Sequence, residues 1–132
     1  MSSELELWRE IQNVKRILDV LRTQERTGYK KYVALLRQTG TNAPTATVLE
    51  NTFSGTPTYS RSSAGSYAVT LANQFPEFKT FVITGSGSLS GQAFISSYNS
   101  YDSVIGIYTS DLAGTLIDGE LYDTAIEIRV YP

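Results

Sequence analysis

The chain contains neither cysteine nor histidine. Without cysteine there is no disulfide framework and no thiolate metal site. Without histidine the usual general base, the Ser-His-Asp arrangement and the commonest metal ligand all fall away. An excess of basic residues is missing too. Eleven Lys and Arg face thirteen Asp and Glu, giving a net charge of −2, so the basic face that a nucleic-acid partner requires is lacking. Lys30-Lys31 is too small to make one. Long apolar runs are also absent. The longest uncharged stretch, Thr80 to Tyr101, is filled with serine and broken by Gly85, Gly87 and Gly91, whereas a membrane helix needs about 20 mostly apolar residues. Met1 to Glu6 is acidic and lacks the basic-then-apolar layout of a secretory signal. A soluble, non-enzymatic protein without cofactor or metal is the expectation.

What is present begins with an apolar seam. Leu7, Ile11, Val14, Leu18 and Leu21 are spaced by four, three, four and three, the a/d spacing by which one helix packs against copies of itself. With Ile11 and Leu18 at a, Glu10 falls at g and Lys15 at the following e, a favourable pair across a parallel interface. Trp8 at e and Ile17 at g widen the stripe, and larger bundles enclose those positions more than a dimer does. The spacing therefore predicts a parallel homotrimer with Leu7, Ile11, Val14, Ile17, Leu18 and Leu21 at the oligomer interface. The competing expectation is an amphipathic helix lying on its own domain, since such helices also carry a wide stripe. Ser3 and Glu6 match a capping box at the start. Gly28 is suited to the left-handed turn that ends a helix.

Removing the helix leaves roughly 105 residues, enough to pack a core unaided. Thr45–Thr52, Pro57–Arg61, Ser66–Leu71, Lys79–Thr84, Gly91–Tyr98, Ser103–Thr109 and Ala125–Tyr131 read as strands, separated by turn residues. Tyr29 to Gln38 fits helical spacing as well as a strand, and is read as strand. Leu116 and Leu121 flank an Asp118-Gly119 turn signal. Strands at this spacing predict a β-sandwich or jelly-roll-like head. Residues 1–28 are thus expected to form a helical coiled-coil stem and 29–132 a β-sandwich head.

Candidate sites are few. Asp102, Asp111, Asp118, Glu120, Asp123 and Glu127 gather late in the chain, where a calcium site or a glycosidase pair is conceivable. The spacing of a calcium loop is missing, and most of these residues sit at turn signals, so turn and solubility roles are expected. Tyrosine is abundant, nine in all, and rings of this kind stack on sugars; tyrosine is also a good strand former. Within Ser97–Asp102, the residues Tyr98, Asn99 and Tyr101 are the candidate glycan contacts. Gly85-Ser86-Gly87-Ser88 lacks the Lys-Ser/Thr of a phosphate loop and reads as a turn.

Three segments carry a resemblance: Tyr32-Val-Ala-Leu-Leu-Arg-Gln-Thr-Gly-Thr-Asn-Ala-Pro, Ala46-Thr-Val-Leu-Glu-Asn-Thr and Gly65-Ser-Tyr-Ala-Val-Thr-Leu, with the endings Asp118-Gly-Glu-Leu and Ile126-Glu-Ile-Arg-Val-Tyr. From Tyr29 onward the chain resembles a small β-rich module of structural proteins of tailed phages and related viruses. The resemblance implies a fibre, spike or decoration component, trimeric, with a helical stem before a β head. It also implies a place in the virion, other virion proteins as partners and host-surface glycans as possible ligands. It carries over no functional residue, because the matched positions read as strands and turns. A carbohydrate-binding module whose oligomerisation adds avidity is the alternative.

Overall fold

Helical periodicity in the first residues and strict alternation in most of the later ones become one helix and eight strands in the computed structural model, which describes residues 2–26, 28–85 and 94–132. The helix α1 spans Ser2–Arg26. It starts one residue before Ser3, so the Ser3–Glu6 pair lies inside the first turn rather than capping it. Gly28, with φ of +68°, marks the change of direction after the helix. β1 (Lys30–Arg37) follows at once, then β2 (Thr45–Asn51), β3 (Thr58–Ser63), β4 (Ser66–Thr70), β5 (Thr80–Thr84), β6 (Phe94–Tyr101), β7 (Val104–Ser110) and β8 (Thr124–Val130). Tyr29–Gln38, open between helix and strand in the sequence, is strand because its buried residues recur every second position: Tyr32, Ala34 and Leu36.

The strands form two four-stranded sheets, sheet A in the order β2-β1-β8-β5 and sheet B in the order β3-β4-β7-β6. Every pairing is antiparallel. β4 lies beside β7, and β5 beside β8, so the chain changes sheets between hairpins in the manner of a Greek key. Together they make a sandwich. Its core joins Tyr32, Ala34, Leu36, Ile126 and Ile128 from sheet A to Tyr67, Val69, Ile105 and Ile107 from sheet B. Phe53 and Phe75 seal one end, edge to face at 5.8 Å. The Tyr32 and Tyr59 hydroxyls satisfy each other across the core at 2.8 Å, and burial pushes the Tyr59 phenol well above its ordinary value.

Two departures from regular pairing matter. Val33 faces Glu50 while Ala34 faces Val48, which leaves Leu49 as an extra residue on the edge strand β2. Such a bulge bends an edge and discourages further pairing. In β6 the register slips between Asn99 and Tyr101. β6 also runs to Tyr101, beyond the expected end at Tyr98, while the expected start at Gly91 falls outside the described residues. Residues 86–93, which include the Gly-Ser turn expected there, lie outside the described residues.

Candidate functional site

Three features invite a functional reading: the helix, the outer face of sheet B, and a carboxylate network at the end of the sandwich where β3 and β4 turn. In α1, every described side chain from residue 3 to residue 19 is exposed. Leu7, Trp8, Ile11, Val14, Ile17 and Leu18 are all among the exposed large hydrophobics. The side chain of Leu21 lies outside the described residues. The expectation of a helix lying on its own domain is therefore not met, because the sandwich covers none of these residues. Within the single chain these side chains gain none of the burial that ordinarily stabilises a helix.

The tyrosines separate by strand geometry. Tyr98 faces Gly106 across the β6–β7 ladder, and Tyr108 lies two residues beyond Gly106 on the same face. The two rings stack at 5.5 Å with planes 6° apart, and their hydroxyls meet at 3.0 Å. That hydrogen bond and partial burial raise the Tyr108 phenol above its ordinary value. Gly106 is what lets the rings lie down, because a Cβ there would sit 3.0 Å from Tyr108 and 3.1 Å from Tyr98. Around the pair, Ser60, Ser66, Ala68, Thr70 and Ser96 share the same outward parity. No charged side chain has that parity among the described residues of sheet B. The candidate Tyr98 thus lies on a neutral, hydroxyl-rich sheet face. Tyr101 does not join it: it pairs with Val104 beyond the slip in register, exposed at the strand end. The backbone of Asn99 pairs with Ile105, and its side chain lies outside the described residues. Ser97–Asp102, read as a polar segment for ligand contact, is mostly strand.

Four of the six late acidic residues, Asp111, Asp118, Asp123 and Glu127, are engaged in holding the fold. Asp118 accepts from Arg61 Nη2 at 2.6 Å and Nε at 3.2 Å, from the Tyr67 hydroxyl at 2.7 Å and from the Gly65 N–H at 3.0 Å. Arg61 above all, helped by those other donors, holds the Asp118 carboxyl well below the usual carboxylate range. One residue on, the Gly119 N–H donates to Gln38 Oε1 at 2.6 Å, and the buried Gln38 amide donates to the Gly40 and Asn42 carbonyls. Gly65 turns at φ of +66°, and a Cβ there would press on the Thr109 carbonyl and stand 2.7 Å from the Ile117 nitrogen. Asp123 is paired with Arg37 at 2.7 Å, and Glu127 with Arg129 at 3.0 Å. Asp111 accepts from the Ala113 and Thr115 N–H groups of its own loop. No group of three or more metal-ligating side chains occurs among the described residues, and Asp111, Asp118, Asp123 and Glu127 are spread over separate ion pairs and a loop. No helix is long and apolar enough to cross a membrane among the described residues.

Tyr108 belongs to the strand tyrosines that the sequence offers for stacking on sugars but is not among the candidate contacts, and Gly106 escaped sequence reading, although a glycine inside an otherwise β-branched strand is a recognised sign of close approach. Phe78, fully exposed beside β5, gave no signal of its own, because a left-handed backbone at a phenylalanine has no sequence mark. No protein-family model, no curated protein and no solved structure matches the chain.

Proposed function

We propose that the chain is a non-enzymatic structural subunit that assembles as a parallel homotrimer, with α1 as a coiled-coil stem and the sandwich as its head. The carrying observation is the heptad-spaced apolar stripe that stands exposed along α1 in the single chain. Burying such side chains between copies contributes about 1.5–3 kcal/mol each when complete. Glu10 and Lys15 at g and e favour the parallel arrangement, and Trp8 and Ile17 beside the seam favour three strands over two. The resemblance to phage and viral structural modules adds the setting: a fibre, head-fibre, tail-fibre or decoration subunit of a virion, in contact with other virion proteins.

The test is the mass of the assembly in solution. The full chain should give three times its 14.6 kDa at micromolar concentration, and Leu18→Asp should give single chains. A carboxylate buried at the seam without a partner is strongly unfavourable. A single-chain mass for the unmodified protein refutes the proposal.

A second reading rests on the Tyr98–Tyr108 pair. Aromatic rings on a neutral face bordered by serine and threonine hydroxyls suit a neutral pyranose, which offers an apolar face and hydroxyl groups together. As a carbohydrate-binding module, the protein should retain immobilised neutral glycans and lose them on Tyr98→Ala. A blank glycan array removes this reading.

A further inference from the structure

The helix joins the sandwich at one end, and that end is rich in exposed aromatic rings. Lys30, Val130 and Thr80 face one another in a line across β1, β8 and β5, so the turn before β5 lies at the edge where the chain leaves α1. The Tyr131 N–H donates to the Lys79 carbonyl at 2.9 Å, and Tyr131 packs on Tyr29 with ring centroids 5.1 Å apart. The β6–β7 turn reaches the same end, since the Phe75 N–H donates to the Asp102 carbonyl at 2.6 Å. Phe78, Phe81, Tyr101 and Tyr131 therefore share the stem end of the head. Their relative exposures are 102%, 52%, 70% and 42%.

Phe78 is the informative member. Its φ is +62°, a conformation that disfavours a bulky side chain and that glycine adopts freely. The turn is held there: Thr80 Oγ1 donates to the Pro76 carbonyl at 2.7 Å, and the Lys79 N–H approaches the same oxygen at 3.4 Å. The chain thus holds a phenyl ring wholly in water, in a backbone conformation that works against it. Neither its exposure nor its backbone gives the single chain any benefit.

We infer that Phe78, with Phe81, Tyr101 and Tyr131, forms a collar by which the head of one copy packs against the head of the next around the stem. The inference rests on the trimer proposed above and assigns it a second contact. The occupant is another copy of this chain for two reasons. Only residues 27–29 separate α1 from β1, a tether of about 14 Å when fully extended, so three stems held together bring three stem ends of the heads to a common axis. The charges beside the ring are also self-complementary, with Glu77 before Phe78 and Lys79 after it. Around a threefold axis each contact is head to tail, so one copy's Glu77 side can meet the next copy's Lys79 side.

Phe78→Gly separates the stability of the single chain from the contact between copies. It relaxes the backbone of the single chain and removes the ring from the interface. The full chain carrying Phe78→Gly should keep or raise its resistance to urea as a monomer, yet its trimer should dissociate at a concentration at least tenfold higher by sedimentation equilibrium. Phe78→Asn, also tolerant of this φ, should behave alike. Trimers as tight as the unmodified protein's in both variants overturn the collar while leaving the stem proposal standing. An unmodified chain that sediments as single molecules overturns both.

Discussion

Asp118 shows how a residue that invites a catalytic reading comes to be structural. It lies at an Asp-Gly turn, the place where sequence alone assigns a hairpin signal. Its carboxylate instead receives four hydrogen bonds from Arg61, Tyr67 and Gly65, tying the segment before β8 to the β3–β4 turn. The partner could not be read from the sequence, because Arg61 lies 57 positions away and only the sandwich brings the two together. The consequence appears in acid. Asp118 has a folded-state pKa below its ordinary 3.8, so the folded state favours the carboxylate. The stability it contributes is present in full above the unfolded-state value and is lost as pH falls through the depressed folded value. Urea unfolding followed from pH 6 to pH 2 should show a steep acid-side loss, and Asp118→Asn should be less stable near neutrality and lose less on acidification. Parallel acid-side slopes in the two proteins would show that other carboxylates, such as Asp123 beside Arg37, carry the effect.

Among the elements, those with a strong period were legible, whereas their partners were not. Alternation in Ser66–Thr70 and Val104–Ser110 locates β4 and β7 to within one residue of the reading, because each buries every second side chain against a fixed core. β6 runs three residues past the end that was read for it, Tyr101 rather than Tyr98, for an equally physical reason. Its sequence mixes serine, asparagine and tyrosine on both faces, leaving no apolar alternation to set an end. β2 shows the opposite failure of pattern. Its extent was read correctly, yet most of its residues are exposed, because it lies on the edge and is bent by the bulge at Leu49. The order of strands was beyond reach, since turn residues announce where a strand stops and not which neighbour it finds. For the candidate sites, the apolar spacing in α1 is a property of the sequence itself, and the structure adds that Leu7, Ile11, Val14, Ile17 and Leu18 are exposed. The tyrosine pair was half legible, because Tyr98 and Tyr101 look equivalent along the chain and fall in different places once β6 slips its register.

At the scale of the whole molecule, two parts are stabilised by different means. The sandwich buries a core of its own, from Tyr32 to Val130. The helix has no such core: its described side chains are all exposed, and propensity alone leaves an isolated helix only marginally stable. If α1 is ordered by association, its melting depends on protein concentration, whereas the sandwich melts as an independent unit. Circular dichroism at 222 nm should therefore show a helical transition whose midpoint falls by several degrees on tenfold dilution. A chain beginning at Gly28 should lack that transition and keep the β-sheet melt at the temperature seen in the full protein, reduced only by whatever the head-to-head collar supplies. A helical transition that ignores dilution would mean that α1 is ordered within its own chain. The exposed seam would then lose its explanation as a contact between copies.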